Sequence, residues 1–316
     1  MKSNSGKKPA AMSVYKKHYG REVRVYYLMM APFGVLFVIF VLVPVISSIA
    51  LSLSDFNMAQ WPRFSGLDNF LRMFMDDSVF MIALKNTMIF ALFTGPVSYF
   101  LCLIFAWLVN ELGNKLRTLF TFLLYIPSMS GAVYVIWAYI FSGDQYGLLN
   151  SFLMNFGWIK EPSQWLTDPK TIMVVVIVVQ LWLSLGTAFL SFIAGFKGID
   201  PQQYEAGAID GISNRLQELW HITLPNMGPQ LLFGAVMQIG ASFAAGAVGT
   251  ELLKAAGAGE EGIATDYAAS TMTTYMAELG TTRYEMGYAC AIAVFLFVMM
   301  VVFNGVIRKA LRRFVD

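Results

Sequence analysis

Charge is scarce in this sequence. Asp, Glu, Lys and Arg make up 13% of its 316 residues, about half the ~25% usual in soluble globular proteins. A chain that is 57% hydrophobic and 15% aromatic, with a mean hydropathy of +0.59, cannot cover its apolar side chains in a water-soluble fold of this size. The same composition excludes intrinsic disorder and a collagen-like fibre. Cysteine is nearly absent: Cys102 and Cys290 both lie in apolar runs, which excludes a disulfide framework or a cysteine metal site. His18 and His221 are the two histidines. With no Cys/His cluster around them, no metal site is expected, and each reads as a solvated or interface side chain. There is no Gly-x-x-x-x-Gly-Lys-Ser/Thr phosphate loop, so the chain is not expected to bind ATP by that route. A net charge of +2 is too small to suggest a nucleic-acid partner. What remains is an integral membrane protein.

A helix crossing the hydrocarbon core needs about 20 mostly apolar residues. Such runs occur at 27–51, 87–109, 119–141, 171–193, 231–248 and 286–307. The fifth is diluted by Gly, Ala and Ser and carries Gln238 near its middle. The runs are continuous and do not alternate as barrel strands do. The first has basic residues before it and Ser48-Ile49-Ala50 behind, as a signal peptide would. Its apolar stretch far exceeds the roughly 7–15 residues of a signal core, so it reads as a retained anchor. Placing the N-terminus inside puts 15 of the 22 Lys and Arg on the cytoplasmic side, the asymmetry that sets orientation. Acids collect in the outer loops: Asp55, Asp68, Asp76, Asp77, Glu260, Glu261 and Asp266. The expected organisation is a basic cytoplasmic tail at 1–26, a six-span unit at 27–307 and a second basic tail at 308–316.

The cytoplasmic segment 196–229 is the informative one. Asp200 before Pro201, with Gln203 two residues further on, is a helix start close to a capping box. Gly211 suits a left-handed helix end. A second helix is expected from Ser213 or Asn214, with Leu216, Leu219 and Trp220 as an apolar stripe, until Pro225 and Pro229 redirect the chain. Two helices this short are marginal alone in water and need a surface to pack against. The stretch has Lys197 and Arg215 against Asp200, Glu205, Asp210 and Glu218. That balance suits a protein partner better than lipid headgroups.

Glu205-Ala206-Gly207, Gly211 and Ile222-Thr223-Leu224-Pro225 resemble the EAA loop of binding-protein-dependent ABC importer permeases. The sugar-permease branch is also echoed by Pro44 with Ser54-Asp55-Phe56, by Gly66-Leu67-Asp68-Asn69-Phe70, and by Asn86-Thr87. Tyr146-Gly147-Leu148-Leu149-Asn150 and Ala194-Gly195-Phe196 with Ile199-Asp200-Pro201 continue the series. Two departures stand out. Gly207 replaces the family's alanine, which weakens a helix by up to ~1 kcal/mol, and ten residues separate Gly211 from Ile222.

The resemblance implies an all-α membrane protein with the type I ABC importer permease fold, six spans and both termini cytoplasmic, in a bacterial cytoplasmic membrane. It implies ATPase-coupling roles for Tyr204, Glu205, Ala206, Gly207, Asp210, Gly211, Trp220, Ile222, Leu224 and Pro225. Its implied partners are a second related permease, two ATPase subunits that carry ATP and Mg, and an extracytoplasmic solute-binding protein. The chain itself would not be an enzyme, and the substrate class would be a carbohydrate. The neutral polar residues of spans four and five suit such a solute. Gln180, Ser184 and Thr187 are spaced along one helix face, Gln238 and Ser242 are four apart, and Trp182 or Phe243 could stack on a sugar ring. The competing role for these side chains is hydrogen bonding between helices. A six-span secondary transporter working without an ATPase is the alternative function. It would ordinarily carry ionisable residues deep in its spans, and the runs here have none.

Overall fold

The structure is a computed structural model that describes residues 10–258 and 262–315. The first nine residues of the basic tail, Glu260, Glu261 and Asp316 lie outside the described residues, as does the side chain of His18. The chain begins with helix α1 (Ala10–Phe37), continues through a π turn (Val38–Leu42) and ends the rod in α2 (Val43–Ser52). The π turn stops just before Pro44, whose missing N–H would interrupt the ladder there in any case. Val25–Ser52 is the apolar part, and none of its most apolar stretch is buried within the chain. The packing of this rod on the bundle is made chiefly by α2, against the last helix.

A small hairpin follows, with β1 (Ser54–Asp55) antiparallel to β2 (Arg63–Phe64), and then the amphipathic α3 (Asp68–Met75). The second span is α4 (Ser78–Asn110). It starts well before the apolar run at 87 because Asp77 caps it, accepting the Phe80 N–H at 2.9 Å. The third span is not straight: α5 (Asn114–Tyr125) and a 3-10 turn (Ile126–Met129) meet α6 (Val133–Ile140) at 87°. Pro127 and Gly131 between them account for the bend. After α7 (Leu148–Asn155) comes the fourth span, α8 (Ile172–Leu183) and α9 (Thr187–Lys197), interrupted where Gly186 leaves helical geometry. The interruption removes the single helix face expected for Gln180, Ser184 and Thr187.

The loop expected at 196–229 forms α10 (Pro201–Ile209), α11 (Arg215–Glu218), a π turn (Leu219–Thr223) and α12 (Leu224–Asn226). The fifth span is again a bent pair, α13 (Gly228–Ala244) and α14 (Ala247–Ala256), at 52°. Then come α15 (Met272–Thr281) and α16 (Met286–Val315), of which Met286–Ala310 is long and apolar enough to cross a membrane. Four stretches are long and apolar enough to cross a membrane, with the fourth span taken across its break, and the two bent pairs bring the number to as many as six when each pair is counted once.

Three buried clusters hold the bundle together. One joins α4, α13, α15 and α16 through Phe80, Ile239, Met272 and Ile292. A second joins α6, α8 and α14 through Ala138, Val176 and Leu252. The third joins α4, α9 and the start of α13 through Ala106, Phe189, Phe192 and Met227. In the third, Gly234 lets span five lie directly on the ring of Phe192, where any Cβ would overlap it. Small residues at such contacts are how helices approach closely where there is no hydrophobic drive between them.

Candidate functional site

Two places gather the polar and acidic side chains of interest, the elbow at 200–226 and the level of the span breaks. In the elbow, Asp200 caps α10 by accepting the Gln202 N–H at 3.0 Å, with Pro201 at the first helical position. Gln203 does not complete a capping box. Its Oε1 accepts from Asn226 Nδ2 at 2.6 Å, tying the first helix of the elbow to its last. Gly211 adopts φ +92°. The Ile212 N–H returns to Gly207 O at 2.9 Å and the Gly211 N–H to Ala208 O at 3.4 Å, a Schellman ending that only glycine makes without strain. Asn214 then caps the next helix, accepting the Gln217 N–H at 2.8 Å, while Gln217 Oε1 accepts the Ser213 N–H at 3.0 Å.

That second helix is only one turn long before it widens into the π turn. The Leu224 N–H reaches back five residues to Leu219 O. The expected stripe is therefore split: Leu219 packs inward, while Leu216 and Trp220 face outward, 64% and 70% exposed. Ile222 and Thr223 turn in, and Thr223 Oγ1 shares a 3.0 Å hydrogen bond with the Tyr204 hydroxyl. Gly207 is buried beneath Ile222, and an added Cβ would stand 2.6 Å from Ile222 Cδ1. The departure from the family's alanine thus gives this isoleucine its seat. Arg215 pairs with Glu218 at 2.7 Å and with Glu111 at 3.4 Å, fastening the elbow to the end of span two. Glu205, Ala206, Ile209 and Asp210 all face outward. Neither Glu205 nor Asp210 has a side-chain partner among the described residues. The outward face is acidic and apolar at once.

The breaks in spans three, four and five lie together. They border a cavity of about 300 Å³ lined by Pro127, Ser128, Gly131, Tyr134, Gln180 and Ala245, among others. Gln180 is 7% exposed, and its amide has no hydrogen-bond partner among the described residues while lining this cavity. Trp182 stands beside it on the outer surface, edge-on to Trp137 at 5.9 Å. The other sequence candidates lie elsewhere. Gln238 Nε2 donates to Cys102 Sγ at 3.1 Å and to Ser184 O at 3.3 Å, so it serves the carbonyl exposed by the break in span four. Ser184 Oγ donates to Leu181 O at 2.7 Å, and Thr187 is exposed at the start of α9. Ser242 and Phe243 line a separate apolar groove against α4 and α16. Tyr134, Ser128 and Gly131 were not candidates from the sequence. The signal for them is the Pro-Ser-x-Ser-Gly cluster inside an apolar run.

The family motifs outside the elbow are mostly asparagine staples. Asn69 Nδ2 donates to the carbonyls of Ser52 and Ser54 at 3.0 and 2.9 Å. Asn86 Nδ2 holds the carbonyls of Tyr267, Ala268 and Ser270. Asn150 holds those of Ser142, Asp144 and Ser163 and accepts from Trp165 Nε1. At the end away from the elbow, Asp77 Oδ2 accepts the hydroxyls of Tyr275 and Tyr288 at 2.6 and 2.7 Å. Burial pushes the Asp77 carboxyl up. The hydrogen bonds from Tyr275, Tyr288 and the backbone of Phe80 and Val79 outweigh it and hold the group below its usual value. Arg72 lies 4.2 Å over the Tyr288 ring and pairs with Glu285 at 2.6 Å.

Comparison with known proteins agrees with this geometry. A family model described as binding-protein-dependent transport system inner membrane component matches residues 98–315. The probable ABC transporter permease protein YesP of Bacillus subtilis (strain 168) is 30% identical over 279 residues, covering 87% of this chain and 85% of that protein. The arabinooligosaccharides transport system permease protein AraP of the same organism is 28% identical over 278 residues, again covering 87% and 85%. In three dimensions the chain is similar to one from a bacterial ABC transporter involved in the import of the acidic polysaccharide alginate. The TM-score is 0.76 at 23% identity, covering 96% of this chain and 100% of that one.

Proposed function

The chain belongs to the family of binding-protein-dependent transport system inner membrane components, and we propose that it forms half of the translocation path of an ATP-driven importer of a carbohydrate. The observation that carries the substrate class is the free amide of Gln180 in a cavity formed where three spans break. Broken helices near mid-span are where transporters expose backbone and side-chain polar groups to a solute. An amide, a phenol and serine hydroxyls, with no charged group among the lining residues, match the donors and acceptors of a neutral sugar. The arabinooligosaccharide permease among the relatives supports the same class.

The other half of the path is a second, related permease. Two ATPase subunits hold ATP and Mg on the side of the elbow, and a solute-binding protein delivers the sugar from the opposite side, with both termini cytoplasmic. The elbow sits in a groove of one ATPase, where the Glu205 carboxylate makes a charge-assisted contact and Ile209, Leu216 and Trp220 lose their exposure to water. Closure of the ATPases moves the elbow as a unit, and the bundle passes from one discrete packing to another.

The test of the sugar site uses the complete assembly in proteoliposomes with the saccharide that the wild type takes up. Replacing Gln180 by Leu removes one neutral hydrogen bond, worth about 0.5–1.5 kcal/mol, and should raise the KM of uptake about 3–10-fold. Uptake with an unchanged KM would remove Gln180 from the path.

A further inference from the structure

A second hollow, of about 500 Å³, lies further from the elbow, between α14 and α15. Its volume falls within the range of small-molecule sites, roughly 300–1,000 Å³. Thr250, Glu251 and Lys254 face it from α14, Thr273 and Glu278 from α15, and Ser270 from the turn between them. Ser270 is 8% exposed. Its carbonyl is held by Asn86 at 3.0 Å, yet its hydroxyl has no hydrogen-bond partner among the described residues and is left to the hollow. The Thr250 hydroxyl is also without a partner among them. Among the described residues the charged groups that line it nearly cancel: Glu251 lies 3.7 Å from Lys254, and Glu278 is neutralised by Arg283 at 2.6 Å. Such a wall offers donors and acceptors with little net field, which suits a neutral polyhydroxyl solute and gives no advantage to an anion.

The hollow is also placed to pass a solute on. Ala247 lines both it and the Gln180 cavity. Next to Ala247 is the bend in span five, where Gly246 is pressed against the hydroxyls of Thr271 and Thr273 so closely that a Cβ would overlap both. Those two hydroxyls bond each other at 2.9 Å, so two short side chains and a glycine meet at the bend.

We propose that this hollow is an outer saccharide subsite, occupied before the sugar passes the bend in span five and reaches Gln180. The proposal rests on the carbohydrate reading of the Gln180 cavity. Its test uses the complete assembly in proteoliposomes, with single cysteines introduced as Thr250→Cys in the hollow and Tyr134→Cys in the inner cavity. The wild type, whose Cys102 is buried and whose Cys290 lies within span six, serves as the blank. Lactose, arabinotriose and diacetylchitobiose, all neutral, are the probes. The one that the wild type takes up should slow thiosulfonate modification of Thr250→Cys at least about threefold, since a bound solute excludes the reagent from the site. Ser270→Ala, which removes one hydroxyl, should raise the KM of uptake about 3–10-fold.

Protection at position 134 without protection at 250 overturns the outer subsite alone. Protection at 250 without protection at 134 supports a saccharide site in the hollow and overturns the passage from it to Gln180. Should the Thr250 variant fail to assemble, an unchanged KM in Ser270→Ala overturns the proposal. Absence of uptake for all three sugars overturns the carbohydrate reading, and the outer subsite with it.

Discussion

Asp77 joins three helices through one carboxylate: it caps α4 and accepts hydroxyls from Tyr275 of α15 and Tyr288 of α16. Its folded pKa is held below the ordinary 3.8. The stability it contributes is therefore fully present above 3.8 and is lost as pH falls through the folded value. In lipid nanodiscs the wild type should melt at a higher temperature than Asp77→Asn near neutral pH, and the gap should close below pH 3.8. A gap that stays constant into acid would show that the carboxylate's charge is not what binds these ends. Gln180 and Gln238 show how far single residues were legible. Both are lone amides in apolar runs, and the sequence gives no reason to separate them. What separates them is the break in span four, which presents the Ser184 carbonyl to Gln238 and leaves Gln180 facing open space.

Among the elements, the elbow followed its sequence most closely. Asp200-Pro201, Gly211 and Asn214 are local signals whose physics does not depend on the rest of the fold, and each sits where its chemistry requires. The π turn was not legible, because helical spacing assumes a constant period and Leu219–Thr223 abandons it. The bends in spans three and five were hidden for a different reason. A mean over apolar residues records length and polarity and is blind to direction. Only Pro127, Gly131 and Gly246 mark the corners.

The seat of Ile222 on Gly207 gives the elbow its own prediction. Gly207→Ala meets only the ends of two flexible side chains, Ile222 and Ile212, and gains up to ~1 kcal/mol of helix propensity. Its melting temperature should stay close to the wild type's. Gly207→Val overfills the seat and should cost about 1–3 kcal/mol, seen as a lower melting temperature in nanodiscs. Equal stability of the two variants would mean that the two arms of the elbow are not packed through this contact.

For the molecule as a whole, the two ends of the bundle are built for different encounters. One end is clamped by Asp77, by the Arg72–Glu285 and Arg283–Glu278 pairs and by the asparagine staples, and it carries the polar hollow. The other carries the elbow, with Glu205 and Asp210 unpaired among the described residues and Trp220 largely bare. Between them the breaks in three spans put hinges and polar groups at one level. The central claim is that the elbow transmits ATP hydrolysis to that level. It is tested most directly by the ATPase rate of the reconstituted assembly, with and without loaded solute-binding protein, for the wild type, Glu205→Ala and Gly211→Val. The first variant removes an outward carboxylate, and the second puts a branched side chain at φ +92°, where it is strained. Both should insert all six spans and lose the stimulation by loaded binding protein. Full stimulation in both variants would contradict the account.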